Sequence, residues 1–322
     1  MKLDDLDKAL LSALDFGPRT GLKVLAEQVN RSQQVVDYRL RSLQKEGFLA
    51  GYYPVIDSFR LGYQYCRLFV QLTDLSPAHV KAIKVFAQRH HEVLWCYRME
   101  GDFNLVLVFW TKSLREFEKI STTFLSLVGA QLLTYNQNQV FELEHFPVSQ
   151  TLLSSPHTPI SISESKELLE IDPLDRTILR ALSLDARTSF SHLAKKCKTS
   201  DKVISYRIQR LEERGVIRGY RPLLNWSAAG LLFFKIFITL DYSKGDLLEA
   251  FYSHLTTTPE LLYIVRGVGA PGDIDIEVVV PGYSELYLFI DKLRKKFPGI
   301  IRSTSHYHFT ECLKVNYFPL KE

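Results

Sequence analysis

Residues 200–220 read SDKVISYRIQRLEERGVIRGY, and residues 32–52 read SQQVVDYRLRSLQKEGFLAGY. Each opens on a serine able to cap a helix. Each then places apolar residues at helical spacing: Ile204, Ile208 and Leu211 in one, Val36, Leu40 and Leu43 in the other. Gly215 and Gly47 stop these helices, and the chain from Phe48 to Val55 reads as extended. Two more helices are predicted upstream. Asp4 or Asp5 can cap a helix with Leu6, Leu10, Leu11 and Leu14 on one face, ended by Gly17-Pro18. A short second helix carries Leu22, Leu25, Ala26 and Val29, and Asn30-Arg31 turns tightly into the third. Leu174, Ile178, Leu179 and Leu182, then Leu193 and Ala194, repeat the plan. A short helix turning sharply into a longer one is the order of a helix-turn-helix.

The two stretches belong to a duplication. Sliding the sequence by 168 residues places Asp4 on Asp172, Arg19 on Arg187, Tyr38 on Tyr206 and Pro54 on Pro222. Between 4–54 and 172–222 there are no gaps and 19 of 51 pairs are identical, well above what unrelated segments share. With small insertions the register continues, matching 101–104 to 272–275 and His145-Phe146-Pro147 to Tyr317-Phe318-Pro319. Between the copies, residues 149–163 (SQTLLSSPHTPISIS) are rich in Ser, Thr and Pro, which resist helix and offer little to bury. They read as a linker.

The outer face of each third helix has the chemistry of a DNA reader: Gln33, Gln34, Asp37, Tyr38 and Arg41 in copy one, Asp201, Lys202, Ser205, Tyr206 and Gln209 in copy two. Gln and Arg present paired donors and acceptors to base edges in the major groove. Arg19-Thr20 and Arg187-Thr188 precede the second helices, where they are expected to hold phosphate. Formal net charge is only +4, but it is unevenly spread. Residues 3–57 hold seven Lys/Arg against eight Asp/Glu, and residues 171–225 hold twelve against six. Phosphate neutralisation dominates affinity, so the second helix-turn-helix is expected to bind more strongly, with Lys202, Arg207 and Arg218 setting its salt dependence.

After each extended segment the pattern reads strand-helix-strand-strand-helix-strand. The pieces are 67–72, 77–89, 93–98, 104–110, 114–127 and 132–143, then 234–240, 247–256, 261–268, 274–280, 284–296 and 300–315. That order is ferredoxin-like, with both helices on one face of an antiparallel sheet, and two such sheets can pack as a dimer would. The expected architecture is α+β. Winged-helix-like helix-turn-helix domains occupy 1–57 and 171–225, ferredoxin-like βαββαβ domains occupy 58–147 and 226–322, and the linker spans 148–170.

Leu6-Asp7 and Leu174-Asp175, the series Ser32…Val35…Tyr38-Arg39…Leu43…Gly47…Gly51-Tyr52 with its partner Ser200…Gly215…Gly219-Tyr220, and the Gly-Asp-x-Asp turn at 272–275 resemble the leucine-responsive (Lrp/AsnC) regulators. The resemblance covers nearly the whole chain, twice. It implies transcription control through double-stranded DNA and pairing of the sensing domains, here within one chain, with further homo-oligomerisation. It also implies a small-molecule effector, often an amino acid, between the paired domains near the turn joining their second and third strands. It carries Gly101, Asp102, Asn104, Gly272, Asp273 and Asp275 to that role, with Asn104 departing from the pattern by replacing the second acid.

Other signals carry less. Gly267-x-Gly269-x-x-Gly272 has the form of a dinucleotide-binding loop, but Ile274 to Val280 follows as strand where that chemistry needs a helix. His306 and His308 share a strand face without a third ligand nearby. No cofactor and no metal is expected. Cys66, Cys96, Cys197 and Cys312 form no CxxC pair, as in reduced cytoplasmic proteins. The opening MKLDDLDKALL does not read as a secretion leader, and no run approaches the ~20 apolar residues of a membrane helix. No nucleophile–base signature stands out, so the reading is a regulator and not an enzyme. The rival on the same architecture is a siroheme decarboxylase-like enzyme. Such enzymes carry a Trp-x-Tyr-Asn type segment after a Cys-Tyr-Arg strand, where Cys96-Tyr97-Arg98 is here followed by MEGDFN. A third reading is a ligand sensor that acts on a partner regulator without DNA.

Overall fold

The computed structural model describes residues 2–15, 17, 19–154, 158–164 and 167–319; Pro18, read above as a helix stop, lies outside them. Copy one begins with α1 (Asp5–Leu14), α2 (Leu22–Gln28), α3 (Gln33–Lys45) and strand β1 (Leu49–Ile56). Asp4 caps α1 through a reciprocal capping box with Asp7, and Ser32 caps α3. There follow β2 (Gln64–Leu72), α4 (Pro77–Arg89), β3 (Val93–Glu100), β4 (Leu105–Thr111), α5 (Leu114–Leu127) and β5 (Leu132–His145).

The segment read as a helix-resistant linker contains a short helix, α6 (Val148–Leu153), and a strand, β6 (Ile160–Ser163), that extends the sheet beside β5. Local composition is overridden by tertiary partners. Val148, Ser149 and Gln150 are buried, the Val148 N–H donates to the Asp15 carboxylate, and Gln150 Nε2 donates to the Thr258 carbonyl at 2.7 Å.

Copy two repeats the order as α7 (Pro173–Leu184), α8 (Phe190–Cys197), α9 (Asp201–Glu213), β7 (Ile217–Leu224), β8 (Leu232–Leu240), α10 (Gly245–Leu255), β9 (Leu261–Val268), β10 (Ile274–Val280), α11 (Tyr283–Lys296) and β11 (Ile301–Val315). Within each copy the strands are ordered as a ferredoxin-like sheet, β3-β4-β2-β5 and β9-β10-β8-β11. The sheets do more than face each other. β11 pairs with β3 and β5 with β9, so eight strands close into a ring, β2-β4-β3-β11-β8-β10-β9-β5 and back to β2. Closure removes the edges that two separate sheets would expose.

β4 and β10 are buried along their whole length because both faces are covered. On the outside, α4 and α5 pack Ile83, Phe86, Ile120 and Phe124 onto one sheet. In the same way α10 and α11 pack Phe251, Leu286, Phe289 and Leu293 onto the other. The inner faces share a third core that runs without a break into both helix-turn-helix units. β1 and β7 pair antiparallel with Tyr53 opposite Arg221, its equivalent under the 168-residue shift. An internal pseudo-twofold axis therefore passes through this strap, an isologous contact within one chain.

The glycines of the nucleotide-like motif serve the barrel. A Cβ on Gly267 would fall inside the Gln139 carbonyl oxygen, 3.1 Å from its carbon and 3.2 Å from Val140 Cα, at the β5–β9 seam. One on Gly272 would lie 2.9 Å from the Ile238 nitrogen. Gly267→Ala forces the seam apart and is expected to cost ~1–3 kcal/mol, read as a lower urea midpoint; an unchanged midpoint would show the seam is not closely packed.

Candidate nucleic-acid interface

In both copies the recognition helix is fixed from inside and left open outside. Ser32 Oγ accepts the Val35 N–H at 3.3 Å, and Ser200 Oγ accepts the Val203 N–H at 3.4 Å. Val36, Leu40 and Leu43, and Ile204, Ile208 and Leu211, are buried. Gln33, Gln34, Tyr38 and Arg41 are exposed on α3, as are Lys202, Tyr206 and Gln209 on α9, with Ser205 half-buried and Arg218 exposed beyond the helix. The equivalent tyrosines stand out at 70% and 62% exposure. Their neighbours are held by surface bonds only: Arg41 pairs with Asp37 at 3.0 Å and Gln209 bonds Glu213 at 2.8 Å. Pairs of this kind contribute well under ~1 kcal/mol, so they leave these side chains free to change partners at little cost.

The arginines and threonines before the second helices are placed differently from the phosphate-holding role expected of them. Arg19 donates to the carbonyls of Ala186 (2.8 Å) and Thr188 (3.2 Å) in the other copy and lies 4.5 Å over the Phe190 ring. Arg187 reaches back to the Thr20 carbonyl at 3.5 Å and over Tyr52 at 5.1 Å. The Thr20 and Thr188 hydroxyls close local turns onto the carbonyls of Gly17 and Asp185. These four residues clasp the helix-turn-helix units across the pseudo-twofold. Sequence could not show this, because each arginine's acceptors lie about 168 positions away.

Arg207 likewise leaves the phosphate set. It pairs with Asp172 and, at 3.3 Å, with Asp175, as Arg39 does with Asp4 (2.7 Å) and Asp7 (3.6 Å). The N–H of Asp175, with Arg207, holds the Asp172 carboxyl below its usual range. These pairs lock the recognition helix to the start of the first helix.

The turn residues carried over as effector contacts are also occupied. The Asn104 carboxamide bonds both backbone groups of Leu72, at 3.0 and 2.7 Å, and Asp273 accepts the Leu240 N–H at 2.8 Å. Asp275 is buried with both oxygens bonded, to Arg67 and to Lys235. Gly101 and Asp102 are exposed and Gly272 packs on Ile238. Asn104, Asp273 and Asp275 therefore fasten strands, and their polar atoms are not turned to a shared ligand space.

The acid at 275 belongs to a charged network inside the barrel. Arg67 donates to Asn138 at 2.7 Å and to Asp275, and Lys235 bridges Asp275 (2.9 Å) and Glu277 (2.7 Å). Burial raises the Glu277 pKa, and Lys235 opposes that rise. Arg67 and Lys235 are equivalents under the 168-residue shift, whereas the acids come only from copy two. The signal was available: in QYCRLFVQL (64–72) and LFFKIFITL (232–240) a cation interrupts an apolar strand at the same place. His306 and His308 pack around Tyr283 and Phe234, and among the described residues no group of three or more His, Cys, Asp or Glu could hold a metal. Nor is any described helix long and apolar enough to cross a membrane.

Comparison with known proteins agrees with this geometry. A family model described as winged helix-turn-helix DNA-binding matches residues 3–50 and again 171–218, and one described as the Lrp/AsnC ligand binding domain matches 66–131. An uncharacterised HTH-type transcriptional regulator of Pyrococcus horikoshii is 32% identical over 160 residues, covering 49% of this chain and 97% of that protein. The leucine-responsive regulatory protein of Escherichia coli K12 is 30% identical over 156 residues, 47% of this chain and 93% of that regulator. Among solved structures, the siroheme decarboxylase NirDL superposes with a TM-score of 0.61 over 98% of this chain and 94% of that one. At 14% identity that likeness is one of fold. Single-copy regulators are thus matched almost end to end by half of a chain that repeats their recognition unit, and the protein belongs to the Lrp/AsnC family of helix-turn-helix transcription regulators.

Proposed function

We propose that both recognition helices of this regulator read one DNA duplex sequence-specifically, that α9 supplies most of the affinity, and that a small effector modulates binding. The observation that carries this reading is the pair of capped helices, each with an open polar face, held to each other by the β1–β7 strap and the Arg19/Arg187 clasp. The contacting side chains are Gln33, Gln34, Tyr38 and Arg41 from α3, with Lys202, Ser205, Tyr206, Gln209 and Arg218 from copy two. Internal pairing takes the place of a dimer of single-copy chains, and further homo-oligomerisation belongs to the same reading, as does a place in the cytoplasm. An amino acid is the first effector class suggested by the relatives.

The test is selection of genomic DNA by the purified protein, followed by salt titration of binding to an enriched site. Each phosphate contact contributes ~0.9 to the slope of log K against log salt. Lys202→Ala and Arg218→Ala are each expected to reduce that slope by about 0.9, while Arg19→Ala leaves it unchanged and weakens the pairing of the two units. Failure to enrich any site, or a slope indifferent to Lys202 and Arg218, sinks the assignment.

A further inference from the structure

Beneath the strap lies a cavity of about 580 Å³, a volume within the ~300–1,000 Å³ range of small-molecule sites. Tyr53, Arg221, Pro222 and Trp226 form its roof, and Arg67, Lys235 and Glu277 line its inner end. Two residues further along the same strand faces, Phe69 and Phe237 close the interior with Phe103 and Tyr307. None of the turn residues 101, 102, 104, 272, 273 or 275 lines it.

Three features of the lining define what it would accept. The first is sign. The cations Arg67, Lys235 and Arg221 face the space, while their partners Asp15 and Asp275 stand behind its wall. Of the carboxylates that do line it, Glu277 is bonded to Lys235 and Glu311 to Lys84 and Arg98, both at 3.0 Å.

The second is unused donors. Arg67 Nη2 and Trp95 Nε1 are buried without a hydrogen-bond partner, although Arg67 as a residue is only 2% exposed. Buried donors are rarely left so. Both residues lie opposite Val108, on the two strands that flank β4, and Val108 also lines the cavity. Strands two ladder spacings apart are ~9–10 Å from each other, a gap that side chains of this length span from both sides. The third is shape: Tyr65, Tyr263, Phe233 and Phe309 present aromatic walls, with Tyr53 Oη and Tyr263 Oη 3.0 Å apart.

We infer that this cavity binds a planar, largely apolar carboxylic acid, whose carboxylate is received by Arg67 Nη2 and Trp95 Nε1 and whose body lies between the aromatic walls. Its role as the effector site rests on the regulator reading above. The roof is the strap that joins the two recognition units, so an occupant in contact with Tyr53 and Arg221 bears directly on their relative placement, and affinity that differs between two placements shifts the population.

The test uses isothermal titration of the full chain with 2-naphthaleneacetate and its neutral isostere 2-(2-naphthyl)ethanol. Saturable binding of the acid at least ~10-fold tighter than the alcohol is expected, since hydrogen bonds to a charged group are the stronger kind. Arg67→Gln should remove that preference. Trp95→Phe keeps an aromatic side chain but loses the N–H together with one ring of the indole, so it carries the test, read as the ratio of acid to alcohol affinity, if Arg67→Gln does not fold. The lost ring area weakens acid and alcohol alike, and the lost N–H should narrow the acid's advantage over the alcohol several-fold. Equal binding of acid and alcohol, no saturation by ~1 mM, or an acid-to-alcohol affinity ratio untouched by Trp95→Phe overturns the site.

DNA binding measured with and without saturating acid separates the two readings. A changed DNA affinity supports the effector role, and an unchanged one overturns it. A chain that binds the acid but no DNA leaves the site standing and removes the regulator reading.

Discussion

Asp15→Ala is expected to lower the stability of the folded chain by about 3–5 kcal/mol, the cost of leaving one partner of a buried ion pair uncompensated. Asp15 and Arg221 are each 2% exposed at the side chain and meet at 3.0 Å. The same carboxylate accepts the Val148 N–H, and Arg221 also donates to the Phe146 carbonyl at 2.6 Å. This one group thus joins the end of α1, the strap strand of the other copy and the start of α6. The denaturant midpoint should fall while the slope of the transition stays constant. Replacing both partners with apolar residues, Asp15→Leu with Arg221→Met, should recover most of the loss, because no buried charge then remains. A single substitution costing no more than a surface change would mean that water reaches this pair.

Asp275→Ala is expected to be comparably severe, about 3–5 kcal/mol. Its carboxylate, 1% exposed, stands between Arg67 and Lys235. Without it two buried cations share only Glu277, which bonds Lys235. Asp275→Asn keeps one acceptor and should fall between wild type and Asp275→Ala. The fourfold change Arg67→Met, Lys235→Met, Asp275→Leu and Glu277→Leu should restore stability while abolishing the acid preference of the cavity. If Asp275→Ala were mild, the network would be solvated and the positive lining screened.

The contrast between these groups and the recognition helices shows which features could be read in advance. The helices of both copies follow from spacing and caps: Leu10, Leu11 and Leu14 on α1, Ser32 and Ser200 at the recognition helices, Gly47 and Gly215 at their ends. The strands of the ferredoxin-like units were legible as apolar runs between turn residues, a signal carried within each segment, although only β3–β4 and β9–β10 are neighbours both in sequence and in the sheet. The duplication was legible because identity survives at 19 of 51 aligned positions. By contrast, Arg19 and Arg207 read as phosphate ligands because exposed and paired arginines look the same in sequence. Residues 149–163 read as linker because nothing local announces that Gln150 will find the Thr258 carbonyl.

Periodicity, capping and internal repetition are local properties, carried by residues within a few positions of one another or by direct alignment of the two copies. They were enough to establish the element types, the doubled architecture and the outward faces of α3 and α9. Barrel closure through β5–β9 and β11–β3, the clasp across the pseudo-twofold and the convergence of Arg67, Lys235, Asp275 and Glu277 depend on contacts between residues far apart in sequence. Charges and hydrogen bonds act over a few ångströms of space, whatever the intervening chain length, so only the folded arrangement could decide which polar groups neutralise one another and which are left facing a cavity.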